Sequence, residues 1–314
     1  MMQLKKISVK QLITPLLGFT LCGCSLFQAT ENKPTAIPAI ATGEKLKVVY
    51  QAPGFYEGPA WDKKSQKLFF TAFGREHGKK FQRIMRLDDN GKAAVWLDNT
   101  GGVNGMFMAQ DGTLLGAVYV KHQLTAMTIG KNGPSTIKIL AADKQWMQPN
   151  DVCQTPNGNI YFTDPDFKKK SRSRVFMLTP QGKVTTIITD MTLPNGIITS
   201  PDGRILYVAD SKEKLWKSYP IKADGTVGAG KIFFNPKVKN RKDPDGMTVD
   251  INGNLYVTGR GGIWIISPAG KQLKMIPIKE FCSNCTFGGK AGKTLYITAK
   301  NKVYAVKMTI QGTH

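Results

Sequence analysis

Asn157-Gly158-Asn159-Ile160-Tyr161-Phe162-Thr163-Asp164 reads as a tight turn running into a short apolar strand, and the same phrase recurs along the chain. Its copies are KLFFTA at Leu68, TLLGAV at Leu114, NIYFTD at Ile160, ILYVAD at Leu206, NLYVTG at Leu255 and TLYITA at Leu295. The anchors lie 46, 46, 46, 49 and 40 residues apart. Four copies follow Asp111-Gly112, Asn157-Gly158, Asp202-Gly203 or Asn252-Gly253, pairs that tolerate the positive φ of a hairpin turn. A second strand-like phrase precedes each anchor, as EGPAWD, NGMFMA, NDVCQT, NGIITS, DGMTVD and NCTFGG, and a third follows most of them. Strand, hairpin, strand, connection, strand over about 45 residues is one blade of an antiparallel propeller. Six such units between residues 46 and 314 predict an all-β, six-bladed β-propeller.

The phrase before each anchor opens on a polar residue that always stands ten or eleven positions ahead: Glu57, Asn104, Asn150, Asn195, Asp245 and Asn284. The innermost strands of a propeller line its channel, so a residue repeated at one place in every blade becomes a ring around the axis. Turn formation alone explains Asn and Asp but not Glu57, nor the alignment of all six. The ring offers hard oxygen donors and no His or Cys, which favours Ca²⁺ or Mg²⁺ over copper or zinc. The chain holds only three histidines, His77, His122 and His314, which leaves a His-based centre almost no ligands to draw on. The expectation is therefore a divalent cation in the central channel.

Other chemistry fails on the residues. Gly288-Gly289-Lys290-Ala291-Gly292-Lys293-Thr294 resembles a phosphate loop, but Phe287 stands where the first glycine is required and a strand follows. Ser211-Lys212-Glu213-Lys214 matches Ser-x-x-Lys without its companion motifs, and no Gly-x-Ser-x-Gly elbow is present. Cys282 and Cys285 read as a local disulfide or two free thiols, and Cys153 as a core residue.

The N-terminus reads as an export signal. Lys5, Lys6 and Lys10 precede an apolar run from Leu12 to Leu21, too short to span a bilayer. The run ends in Leu21-Cys22-Gly23-Cys24, which resembles a bacterial lipobox with Cys24 as the lipidated residue. Residues 1–23 are thus expected to be removed, 24–45 to form a lipidated, polar and Pro-containing tether, and 46–314 to fold. This predicts a lipid-anchored protein of the cell envelope, facing the periplasm. Beyond the signal, 41 basic residues face 22 acidic ones, an excess of about +19. The basic residues are scattered and carry no nucleic-acid motif, so nucleic acid is not the expected partner; a membrane or envelope surface, or plain solvation, suits the charge.

Glu57-Gly58-Pro59 with Trp61, Pro149-Asn150-Asp151, Tyr161-Phe162-Thr163-Asp164-Pro165, Leu193-Pro194-Asn195-Gly196 and Asp243-Pro244-Asp245-Gly246-Met247 together resemble the senescence marker protein/gluconolactonase family of six-bladed propellers. The likeness covers residues 50 to 310 and is nearest its bacterial gluconolactonase branch. It implies metal ligands at Glu57, Asn150, Asn195 and Asp245, with Ca²⁺ first and Mg²⁺, Mn²⁺ or Zn²⁺ also compatible. It further implies hydrolysis of a small lactone by metal-activated water, with Asp245 as candidate base. Asn104 and Asn284, with Asn150, are assigned to substrate or supporting contacts; turn-capping is the alternative for the first two. Asp164 and Asp210 are expected to hold backbone N–H groups within blades. Two features depart from the family: Val118-Tyr119-Val120 stands where a His is usual, with His122 displaced, and a basic loop follows the first-blade strand. A hydrolase of organophosphates or aryl esters, and a binding propeller with structural calcium, remain open as rivals.

Overall fold

The computed structural model describes residues 37–88, 90–169, 172–237, 244–259 and 261–313. The export signal, Cys24 and the tether up to residue 36 lie outside the described residues, as does Asp243. The described residues form six four-stranded antiparallel sheets and contain no helix. Their first strands are Phe55–Asp62, Val103–Met108, Val152–Gln154, Pro194–Thr199, Met247–Val249 and Cys282–Gly288. Each contacts the first strand of the next sheet, and the last contacts the first, so they form a closed inner ring. This is the six-bladed propeller expected from the repeat.

The second strands carry the apolar anchors and are buried on both faces. Ile160–Asp164 and Leu255–Gly259 are buried throughout, because blades pack face to face and no strand face is left for water. Phe69, Phe162, Tyr161 and Tyr256 are fully buried there, each worth about 1.5–3 kcal/mol of hydrophobic transfer. The four Asp-Gly and Asn-Gly pairs sit in the turns between first and second strands, each glycine N–H donating to the carbonyl three residues back. Cys153, Cys282 and Cys285 are buried and free, which selects the free-thiol reading for the last two.

Two features were not legible in the repeat. Every blade has a fourth, outer strand, such as Val184–Ile188 or Lys231–Phe234, whose partial exposure gives it a weak apolar pattern. In the sixth blade that outer strand is Lys47–Gln51, from the other end of the chain, paired with Lys302–Lys307. This closure covers a sheet edge and ties the first strand of the fold to the last. Residues near the end of the segment read as tether also lie along this blade. The Ala41 N–H donates to Lys307 C=O at 2.8 Å and Thr309 N–H to Ala39 C=O at 2.9 Å.

The inner strands approach one another closely enough to dictate residue size. A Cβ on Gly196 would collide with the Asp245 carbonyl oxygen, and one on Gly246 with the Asn284 side chain. The glycines of the Asn195-Gly196 and Asp245-Gly246 pairs are thus what lets the ring residues of successive blades meet.

Candidate functional site

Five of the six ring residues, Glu57, Asn104, Asn150, Asn195 and Asp245, line a single cavity of about 570 Å³ at one end of the channel. Its lining is otherwise largely apolar and aromatic, from Phe55, Phe73, Tyr119, Phe167, Leu193 and Phe281, with Gln148 and Ser211 as the further polar side chains. Such a size and composition suits a small ligand.

The hydrogen bonds decide how the amides present themselves. The Ser211 hydroxyl donates to Pro244 C=O at 2.6 Å, so its oxygen is left to accept from Asn195 Nδ2 at 3.1 Å. Asn195 is thereby turned with its nitrogen outward to Ser211, and its buried Oδ1 has no hydrogen-bond partner among the described residues. The Oδ1 of Asn104 is buried and unpartnered in the same way. A buried bare carbonyl costs about 1–3 kcal/mol, so it is retained where something else supplies its partner. Ser211 was not singled out from the sequence as a site residue; its signal is its place directly after Asp210, at the end of an anchor strand.

The carboxylates tell the same story with charge. Glu57 accepts its neighbour Gly58 N–H at 2.7 Å and shares hydrogen bonds with Asn284 and Asp245. Burial pushes its carboxyl up to about 7. Asp151, next to Asn150 but beneath the cavity, is pushed up to about 8, by burial first and by the Glu57 charge second. No Lys or Arg lines this cavity among the described residues. The buried carboxyls of Glu57 and Asp151, with no Lys or Arg among the described lining residues and two amide oxygens without a partner among them, fit a hard divalent cation.

Asn284 departs from the ring. It lines a smaller cavity of about 30 Å³ further along the channel, together with Asp151. Its Nδ2 donates to Asp151 Oδ2 at 3.3 Å and its Oδ1 accepts from Cys285 N–H at 2.8 Å. Both ends of the amide are committed, so Asn284 braces Glu57 and Asp151 and does not present itself to a ligand in the mouth. Asp151 was quoted from the sequence only as part of a motif; its burial under Glu57 depends on how the blades meet.

Asp164 and Asp210 serve the blades, as expected. Asp164 accepts the N–H groups of Met147 and Gln148 at 2.9 and 2.7 Å. Asp210 accepts those of Thr192, Leu193, Lys212 and Glu213.

Comparison with known proteins agrees with this architecture. The family model of the SMP-30/gluconolactonase/LRE-like region matches residues 55–301. The chain belongs to that family. As an SMP-30/gluconolactonase-like protein it is 27% identical to a gluconolactonase of Zymomonas mobilis, over 91% of this chain and 87% of that one. A gluconolactonase structure from Xanthomonas campestris superposes with a TM-score of 0.73 at 25% identity, covering 86% of this chain and 91% of the other. A calcium-binding regucalcin from Agrobacterium tumefaciens shares the fold with a TM-score of 0.71 at 18% identity, covering 86% and 95%. Membership of a gluconolactonase-like family supports a lactonase function for this SMP-30-like chain.

Proposed function

We propose that this protein is a divalent-metal-dependent lactonase that opens small cyclic esters, sugar lactones first among them, in the large channel cavity. The observation that carries the proposal is the cavity base: two carboxylates and two amide oxygens without a partner among the described residues, under an aromatic wall. Glu57, Asn150, Asn195 and Asp245 would hold the ion, and Ca²⁺ suits their oxygen set best. When bound, such an ion supplies carbonyl polarisation and a more acidic water. The calcium-binding relative of the same fold is consistent with this assignment.

The chain's own residues do the rest. Asp245, at the cavity base, takes the proton as the water oxygen bonds to the acyl carbon. The ring C–O bond then breaks, and the departing alkoxide oxygen takes up that proton. Asn104, with its bare Oδ1, accepts from a substrate hydroxyl, and Asn150 contributes to both ion and substrate. Phe55, Phe73, Tyr119, Phe167 and Phe281 cover the apolar face of the lactone ring and keep bulk water from the base. Ser211 keeps the Asn195 oxygen turned inward, and Asn284 keeps Glu57 and Asp151 in place.

The test is hydrolysis of a lactone panel before and after chelation. Chelator-sensitive opening of aldonolactones, restored by Ca²⁺, is the expected result. Bound calcium with no turnover of any ester would overturn the enzyme reading and leave a binding propeller. Asp245→Ala with full turnover and full metal content would remove Asp245 as the base. We further propose that the enzyme works in the cell envelope, tethered through a lipid on Cys24 and facing the periplasm. Labelled fatty acid should enter the wild-type chain and be absent from Cys24→Ala.

A further inference from the structure

Beside the mouth of the large cavity lies a second one of about 400 Å³, lined by Tyr119, His122, Lys144, Gln148 and the loop residues around Lys168. Tyr119 and Gln148 line both cavities, so the two adjoin. Their characters are opposite. The large cavity has no basic side chain among its described lining residues, whereas the annex gathers Lys144, Lys168, Lys169 and Arg172. None of these four forms an ion pair with a carboxylate among the described residues. The one carboxylate among the described lining residues, Asp166, accepts the loop N–H groups of Lys168 and Lys169 at 3.2 and 2.9 Å among its contacts. His122 adds a buried Nδ1 with no partner among the described residues.

The floor and partition of the annex are held in place. Asp164 pins the backbone of Met147 and Gln148, and Trp146 is buried against Phe162 with ring centroids 4.8 Å apart. Gln82 Nε2 donates to the Tyr119 hydroxyl at 2.8 Å, which fixes the ring standing between the two cavities. Four like charges around a concave space repel one another. They draw in an anion through charge-assisted hydrogen bonds strengthened by the field of the group.

We propose that the annex is an anion subsite, and that the physiological substrate is a lactone bearing a carboxylate or phosphate group on the side of the molecule away from its ester. The lactone ring occupies the large cavity over Glu57 and Asp245, and the anionic group passes Tyr119 to reach Lys144, Lys168, Lys169 and Arg172. Tyr119 and His122 thereby acquire a role on the segment where the sequence departs from its family. The inference rests on the lactonase reading for the ester, but not for the anion.

The test compares kcat/KM for gluconolactone, glucarolactone and phosphogluconolactone in the full-length protein loaded with Ca²⁺. The charged lactones should be preferred by about tenfold or more at low salt, and the preference should shrink as ionic strength rises. Lys168→Ser, Lys169→Ser and Arg172→Ser, combined in one exposed loop, should bring the ratio of charged to neutral kcat/KM toward one. A thermal melt checks that this variant folds. Preference for only one charged lactone identifies the anion as carboxylate or phosphate. Equal kcat/KM for all three lactones in wild type, or a ratio untouched by the triple variant, overturns the subsite and leaves the lactonase standing. If no lactone is opened, calorimetry with the open-chain products decides. Glucarate or phosphogluconate binding that the triple variant loses keeps the subsite while the lactonase reading falls, and absence of binding removes both.

Discussion

Asp210 and Asn195 stand on neighbouring strands of the fourth blade, both buried and both polar, and the protein uses them in opposite ways. Asp210 takes four backbone N–H groups, so its carboxylate stitches the connection before one strand to the turn after another. Asn195 spends its nitrogen on Ser211 and leaves its oxygen without a partner among the described residues. The same contrast separates Asp164 from Asn104. A buried polar group whose hydrogen bonds are complete within its own blade is structure, and one left short at the axis is a site. Residue type and repeat position do not distinguish them; satisfaction does.

That contrast can be broken by mutation. Glu57→Gln should lower kcat/KM for lactones by about 10³-fold, roughly 4 kcal/mol of transition-state stabilisation, because the ring loses one of its two charges. The chelated variant should melt no lower than chelated wild type, since a carboxyl destabilised by burial is gone. A large fall in melting temperature without metal would place Glu57 on the structural side. Asp210→Ala should do the reverse, costing about 3 kcal/mol in denaturant unfolding by orphaning four donors, while activity per folded molecule stays near wild type. Loss of turnover in a variant that still folds fully would erase the distinction.

Ser211→Ala sharpens the comparison, because it removes the hydroxyl that turns Asn195, together with that hydroxyl's bond to the Pro244 carbonyl. Calcium affinity measured by calorimetry should fall about 10–100-fold, the usual cost of losing a group that aims a ligand. Unchanged affinity would show that the Asn195 oxygen needs no aiming. The smallest effect is expected at the rim of the sixth blade. There Lys302 and the Tyr304 hydroxyl hold the Glu280 carboxyl down to about 2 from its ordinary 4.5. A lowered folded-state value stabilises the fold above the unfolded value and loses that contribution as pH falls from about 4.5 toward 2. Glu280→Gln should therefore cost about 2 °C or less in melting temperature near neutrality, and nothing below about pH 2. A deficit that persists at the lowest pH would assign the effect to packing.

The site was legible in proportion to how much of it is repeated. Glu57, Asn104, Asn150, Asn195 and Asp245 could be read as a ring because each occupies one position in a unit of near-constant length. Asn284 occupies that position too, yet it braces Asp151 below the mouth, since its amide is committed at both ends. Asp151 and Ser211 occur once each and leave no periodic trace. Their roles come from the Glu57 charge beside one and the Pro244 carbonyl beside the other.

The sequence by itself determined the number of blades, the hairpin turns inside four of them and the polar residues delivered to the axis, because these follow from local patterns repeated from blade to blade. Tertiary structure alone decided that Lys47–Gln51 completes the sixth blade, which ring oxygens are left without partners, and that lysines from two connections gather beside the mouth. Strand periodicity is a property of adjacent residues. Hydrogen-bond completion and charge accumulation belong to groups far apart in the chain, and they exist only once the blades close around the channel.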